Sequence, residues 1–160
     1  MSIRPPVNDS VQRVVELLGD RWTILVLREA FFGVHRFSEF ARNVGITNRN
    51  LLTNRLRLLV DAEIFERIDE GGRRIDYRLT ARGRELYPTI MAMMAWGDRH
   101  LADPGGPPLI FEHRSCGHPT APILVCEHCH EPIDPRDVDP RPGPGFEQPG
   151  HVRDADDQAS

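Results

Sequence analysis

HRFSEFARNVGITNRNLLTNRLRLLVDAEIFERIDEGGRRIDYRLT, residues 35–80, changes its hydrophobic period partway along. In its first part Phe37, Phe40 and Val44 fall on one face of a short helix, His35–Val44, with Ser38 as its expected cap. Gly45 supplies a tight turn, and Thr47 or Asn48 caps a second helix over about Asn48–Ala62. Leu51, Leu52, Leu56 and Leu59 point inward on that helix; Asn50, Thr53, Asn54 and Arg57 form the opposite face, with Arg49 near its start. Beyond it the period becomes two. Ile64–Asp69 and Arg74–Thr80 alternate apolar and polar residues around a tip at Glu70–Arg73, the pattern of a β-hairpin. Two helices joined by a short turn and followed by a two-stranded ribbon make a winged helix-turn-helix: an α+β domain, mostly helical, with a hairpin wing.

The polar face of the second helix is suited to DNA. Five arginines and one acid, Glu39, lie between Arg36 and Arg57. Asn pairs bidentately with adenine and Arg with guanine in a major groove, while hydroxyls and guanidinium groups bind phosphates. The expected contact residues are Arg36, Ser38, Thr47, Asn48, Arg49, Asn50, Thr53, Asn54 and Arg57. Arg73 and Arg74 of the hairpin would touch flanking backbone or minor groove. A solvated amphipathic helix in a small α+β domain is the plainer alternative.

Outward from this segment, Val11, Val14, Val15 and Leu18 share helical spacing, and Gly19–Gly33 reads as a buried helix ended by glycine. Thr80 begins a long apolar helix that Pro88 kinks or splits. Trp22 and Trp96 read as packing residues, and His35 and His100 as surface or helix-end residues. Asp103–Pro108, DPGGPP, is a linker; residues 109–138 form a small separate unit; residues 139–160 are acidic and Pro-rich, a composition expected to be disordered. The domain boundaries are therefore 8–102, 109–138 and 139–160.

The net charge of −4 is unevenly spread. Residues 1–102 carry +3 and residues 103–160 carry −7, so only the front half favours a polyanion. Every basic residue is Arg. The first ten residues contain no apolar run, and the most apolar stretch, Ile90–Trp96, is far too short to span a bilayer. A cytoplasmic protein without membrane partners is expected.

Several blocks, in order, resemble the HxlR family of bacterial winged-helix regulators. They are G-x-R-W-T-x-x-x-L-R-E at Gly19–Glu29, R-F-S-E-F at Arg36–Phe40, the helix carrying Ile46, Leu51, Arg55 and Leu56, and Y-x-L-T-x-x-G at Tyr77–Gly83. The resemblance spans roughly residues 8–101. It implies a homodimeric transcription factor, here expected to be a repressor on a pseudo-palindromic operator. In that family the N-terminal helix and the helix after the wing build the dimer, which would cover the apolar Tyr87–Leu101 segment. Many members carry a thiol-sensing cysteine just before the first helix. Asp9 stands at that place here, and no cysteine precedes Cys116.

All three cysteines lie in the appendage. HRSCGH, His113–His118, and CEHCH, Cys126–His130, are two pairs of x-x-spaced donors separated by APILV, expected as a short strand. Such knuckles build a zinc ribbon, with His113, Cys116, Cys126 and Cys129 as the expected ligands, His118 as the alternative histidine, and His128 and His130 as weaker substitutes. Four protein ligands make the zinc structural. A redox dithiol at Cys126/Cys129 stays open. The haem-attachment reading of C-x-x-C-H ignores His113 and Cys116. With acidic neighbours, the module is expected to pack on the winged domain, on its dimer partner or on another protein. Two function classes follow: a DNA-binding regulator, with a small-molecule effector possible, or a zinc-stabilised interaction module whose winged domain no longer binds DNA. No serine–histidine–aspartate order, phosphate-cradling loop or open metal site points to an enzyme.

Overall fold

The computed structural model describes residues 9–69, 71 and 74–146. Four helices come first. α1 (Ser10–Leu18) is capped by Asp9, whose carboxylate accepts from the Gln12 N–H at 2.8 Å. α2 (Arg21–Phe31) is capped by Asp20, which accepts from the N–H groups of Trp22 and Thr23. Thr23, Val26 and Leu27 are completely buried, so α2 runs through the centre of the domain. α3 (Phe37–Val44) buries Phe40 and ends at Gly45, and α4 (Arg49–Asp61) buries Leu52, Leu56 and Leu59.

The cap expected at Ser38 is not there. Arg36 precedes α3 in an extended conformation without a side-chain cap, and Ser38 sits exposed in the first turn. The reason is the wing. Residues 35 and 36 pair with its second strand, through the Tyr77 N–H to His35 O bond at 2.8 Å and the Arg36–Asp76 bridge. The helix can begin only where the chain leaves that sheet, at Phe37. Of the two caps expected for α4, Asn48 is the one used.

The wing is β1 (Phe65–Asp69) paired antiparallel with β2 (Ile75–Leu79), in a register running from Phe65–Leu79 to Asp69–Ile75. Phe65 is buried and stacks on Phe40, their centroids 6.1 Å apart, which seats the hairpin on the helical core. Thr80 then performs two tasks. Its hydroxyl donates to Glu63 O at 2.6 Å, and the same oxygen accepts from the Gly83 N–H to cap α5 (Ala81–Arg84). Gly83 lies so close to β1 that a Cβ there would collide with the Ile64 carbonyl oxygen. The L-T-x-x-G block is thus the weld between wing and following helices. Pro88 splits the long apolar segment: α6 (Tyr87–His100) starts afresh with proline in its first turn, where no N–H is missed. None of the helices among the described residues is long and apolar enough to cross a membrane.

The appendage contains β3 (Glu112–His113) paired with β4 (His118–Pro119) and an isolated Val125–Pro132 bridge. The strand expected over Ala121–Val125 is reduced to that bridge, since Pro119 and Pro122 withhold ladder donors. Phe111 stacks on Phe32 at 6.3 Å, so the appendage packs on the winged domain. Between them lies a cavity of about 320 Å³, lined by Met91, Met94 and Ala95 of α6 and by Leu109, Ile110 and Phe111. Residues 139–146 carry no regular element, and the rest of the expected tail, 147–160, is outside the described residues.

Two stability predictions follow from the packing. Gly83→Ala should cost about 1–3 kcal/mol, since the added methyl meets backbone rather than a movable side chain. An unchanged thermal midpoint would show that the weld is not tight. Asp20 caps α2 and also binds Arg55 of α4, with Nη2–Oδ2 at 3.2 Å and Nε–Oδ1 at 3.1 Å, the latter in ion-pair range without hydrogen-bond geometry. Asp20→Ala should therefore cost about 1–3 kcal/mol, more than Arg55→Ala, which spares the cap. Denaturant melts of both singles and the double should yield a positive coupling energy; additivity would remove the tie.

Candidate nucleic-acid interface

The buried leucines of α4 fix its rotation about its own axis, and that rotation selects the outward face. Arg49, Asn50, Asn54 and Arg57 are exposed; Thr53 is half-buried, its hydroxyl donating to Arg49 O at 2.9 Å, so it faces a partner only as an acceptor. Asn48, exposed, spends its Oδ1 on the Leu51 N–H at 3.1 Å. Thr47 is exposed in the turn. The Arg49 guanidinium lies over the Phe37 ring, 5.1 Å from its centroid, a cation–π contact that holds the side chain in place.

The start of α3, the first turns of α4 and strand β2 enclose a groove of about 460 Å³ lined by Arg36, Phe37, Ser38, Arg49, Thr53, Arg74, Ile75, Asp76 and Tyr77. Arg36, Ser38, Arg49, Thr53 and Arg74 were all expected contacts, so Ser38 has a place in the groove although it caps nothing. Asn50, Asn54 and Arg57 stand on the same helix beyond the groove lining. Arg73 lies outside the described residues.

The five arginines counted in the sequence separate by geometry. Arg55 turns inward to Asp20, and Arg42 donates to Asn43 Oδ1 at 3.4 Å. Arg36, Arg49 and Arg57 are exposed, and among the described residues no ion pair engages them. Their charge is directed at solvent, and Arg49 lies at the N-terminal, positive end of α4.

Two acids in this region were missed by sequence reasoning. Asp76 lines the groove, with its Oδ2 3.5 Å from Arg78 Nη2 and 3.8 Å from His35 Nε2. The period of two already placed it on the face shared by Arg74 and Arg78. Glu29, nearly buried, accepts from Arg28 and from the Asn43 amide at 3.0 Å, joining α2 to α3. No periodicity marks that contact, since its partners are fourteen residues apart.

The appendage brings its donors together in pairs. His113 Nδ1 is 3.5 Å from Cys116 Sγ, and the His118 Nδ1 is 2.7 Å from Cys116 O. The Cys126 thiol is pulled below its ordinary range by the Cys129 N–H, then by the His128 N–H and the Cys129 thiol. All three cysteines are free. Among the described residues, no group of three or more His, Cys, Asp or Glu side chains converges in the way a metal site requires.

Comparison with known proteins places this geometry. The family model for the HxlR-like helix-turn-helix matches residues 17–104. An uncharacterized HTH-type transcriptional regulator of Mycobacterium tuberculosis, Rv3095, is 50% identical over 141 residues, covering 87% of this chain and 89% of that protein. A match of that span runs through the appendage. The HTH-type transcriptional regulator YodB of Bacillus subtilis is 31% identical over 97 residues, covering 59% of this chain and 86% of its own. Among solved structures, that of PA1607, a candidate transcription factor, superposes with a TM-score of 0.76 at 31% identity, over 84% of this chain and 95% of that one. The chain belongs to the HxlR-like helix-turn-helix family of transcriptional regulators.

Proposed function

We propose that this protein is a sequence-specific DNA-binding repressor that acts as a homodimer on a pseudo-palindromic operator. The observation that carries the reading is the outward set on α4 and the wing: Arg36, Arg49 and Arg57 without internal ion-pair partners, beside Asn50 and Asn54 and next to Arg74. In this reading α4 enters a major groove, Asn50, Asn54 and Arg57 meet base edges, and Arg36, Arg49 and Arg74 hold phosphates on either side.

The dimer reading is supported by apolar side chains that the single chain leaves in water. On α1 these are Val11, Val14 and Val15; on α6 they are Tyr87, Met93 and Trp96, with Leu101 just beyond, and Trp96 is 57% exposed. Two helices with this much unburied apolar surface fit a shared interface better than solvent. The cavity between α6 and residues 109–111 offers a small apolar effector a place from which to act on the dimer helix.

Selection from random duplex DNA by the full-length protein tests the reading: a palindrome should be enriched, with half-site centres about 34 Å apart, and a single half-site should bind far more weakly. Equal affinity for a half-site would refute the dimer. Asn50→Ala and Arg57→Ala should each cost about 1–3 kcal/mol of operator affinity and change base preference at one position. Arg49→Ala should weaken all sequences alike and lower the salt dependence of binding by about one counterion. If Asn50→Ala and Arg57→Ala both leave binding unchanged in fluorescence anisotropy titrations, α4 presents a different face.

A further inference from the structure

The appendage is folded without a core. Leu109, Ile110, Ile123, Leu124 and Val138 are each at least half exposed, and only a few residues between 109 and 138 are even partly buried. Its strands are two residues long. Apolar burial cannot hold so short a segment in two ordered hairpins.

The two hairpins carry the same turn. In the first, the Gly117 N–H bonds to His113 O at 2.8 Å; in the second, the His130 N–H bonds to Cys126 O at 2.9 Å. Each turn closes on a residue in the left-handed region, Gly117 at φ 69° and His130 at φ 61°. Histidine is among the non-glycine residues found more often in that conformation. Each turn sets two soft donors three residues apart: His113 and Cys116 in the first, Cys126 and Cys129 in the second. Flanking bonds hold the hairpins: Thr120 N–H to Phe111 O in the first, Cys126 N–H to Glu131 O and Ile133 N–H to Leu124 O in the second.

We infer that His113, Cys116, Cys126 and Cys129 bind one structural zinc ion that draws the tips of these two hairpins together. The pairs stand apart among the described residues, and the ion supplies the cross-link that neither a core nor a full set of disulfides can give to three free cysteines. Binding releases three thiol protons to solvent and leaves a site of net charge −1, with no open position for water. His113 is assigned to the set because its Nδ1 already lies 3.5 Å from Cys116 Sγ, with Ser115 Oγ 3.0 Å from the same nitrogen.

The test uses the full-length chain purified without chelator. Elemental analysis should find zinc equimolar with protein, and the cobalt-exchanged form should show intense tetrahedral bands with thiolate charge transfer. Cys126→Ser, Cys129→Ser and His113→Gln should each lose the metal while retaining the helical circular dichroism of the winged domain, and His118→Gln should keep it. A chelator should turn three slowly reacting thiols into three fast ones. Zinc-free protein whose thiols all react at once would overturn the site. So would half an equivalent of zinc per chain, an octahedral cobalt spectrum, or loss of zinc in His118→Gln but not in His113→Gln.

Discussion

Helix α2 holds both helices of the reading motif by carboxylates at its two ends. At its start Asp20 caps the helix and binds Arg55 of α4; near its end Glu29 accepts from Asn43 of α3. Between them Thr23, Val26 and Leu27 are sealed in the core. Apolar packing sets how close the helices come, and it tolerates small rotations. A charge-assisted hydrogen bond is directional, so rotating a helix away from its partner costs more than the same shift in an apolar contact. The polar ties therefore fix the angle at which α4 presents Asn50, Asn54 and Arg57.

The wing is tied to the same assembly at two places. His35 and Arg36 bridge to β2, and Thr80 with Gly83 fastens the hairpin base to the end of α4 through Glu63 O and Ile64 O. Arg36 and Arg74 thus line one groove although they are far apart in sequence.

The sequence made the helix-turn-helix and the wing legible because the period of hydrophobic residues switches within a few residues of Ile64, where no single helix or strand could accommodate both patterns. The outward face of α4 was legible for the same reason: four leucines at helical spacing, Leu51, Leu52, Leu56 and Leu59, leave only one side free. What stayed hidden depended on partners distant in the chain. Ser38 has the chemistry of a cap, but a strand pairing forty residues away decides where α3 starts. Arg55 looked like one more surface arginine until Asp20, thirty-five residues earlier, came to face it. Asp76 was an alternating strand residue in the sequence and an acid in a basic groove in the structure. In the appendage the spacing of donors was plain, but among the described residues the two pairs stand apart, and whether two hairpins close on each other is a tertiary matter that no local pattern encodes.

Fastening α3, α4 and the wing to a single helix has a mechanical consequence. The helix-turn-helix and its wing form one body whose contours cannot be retuned by a distant event without breaking the Asp20–Arg55 ion pair or the Glu29–Asn43 hydrogen bond. Compliance is left to α1 and α6, whose apolar side chains face water in the single chain. In the proposed dimer, a signal would act by altering the distance and twist between two unchanged heads. It would tune which spacing of half-sites is occupied and leave the identity of the bases read within each half untouched.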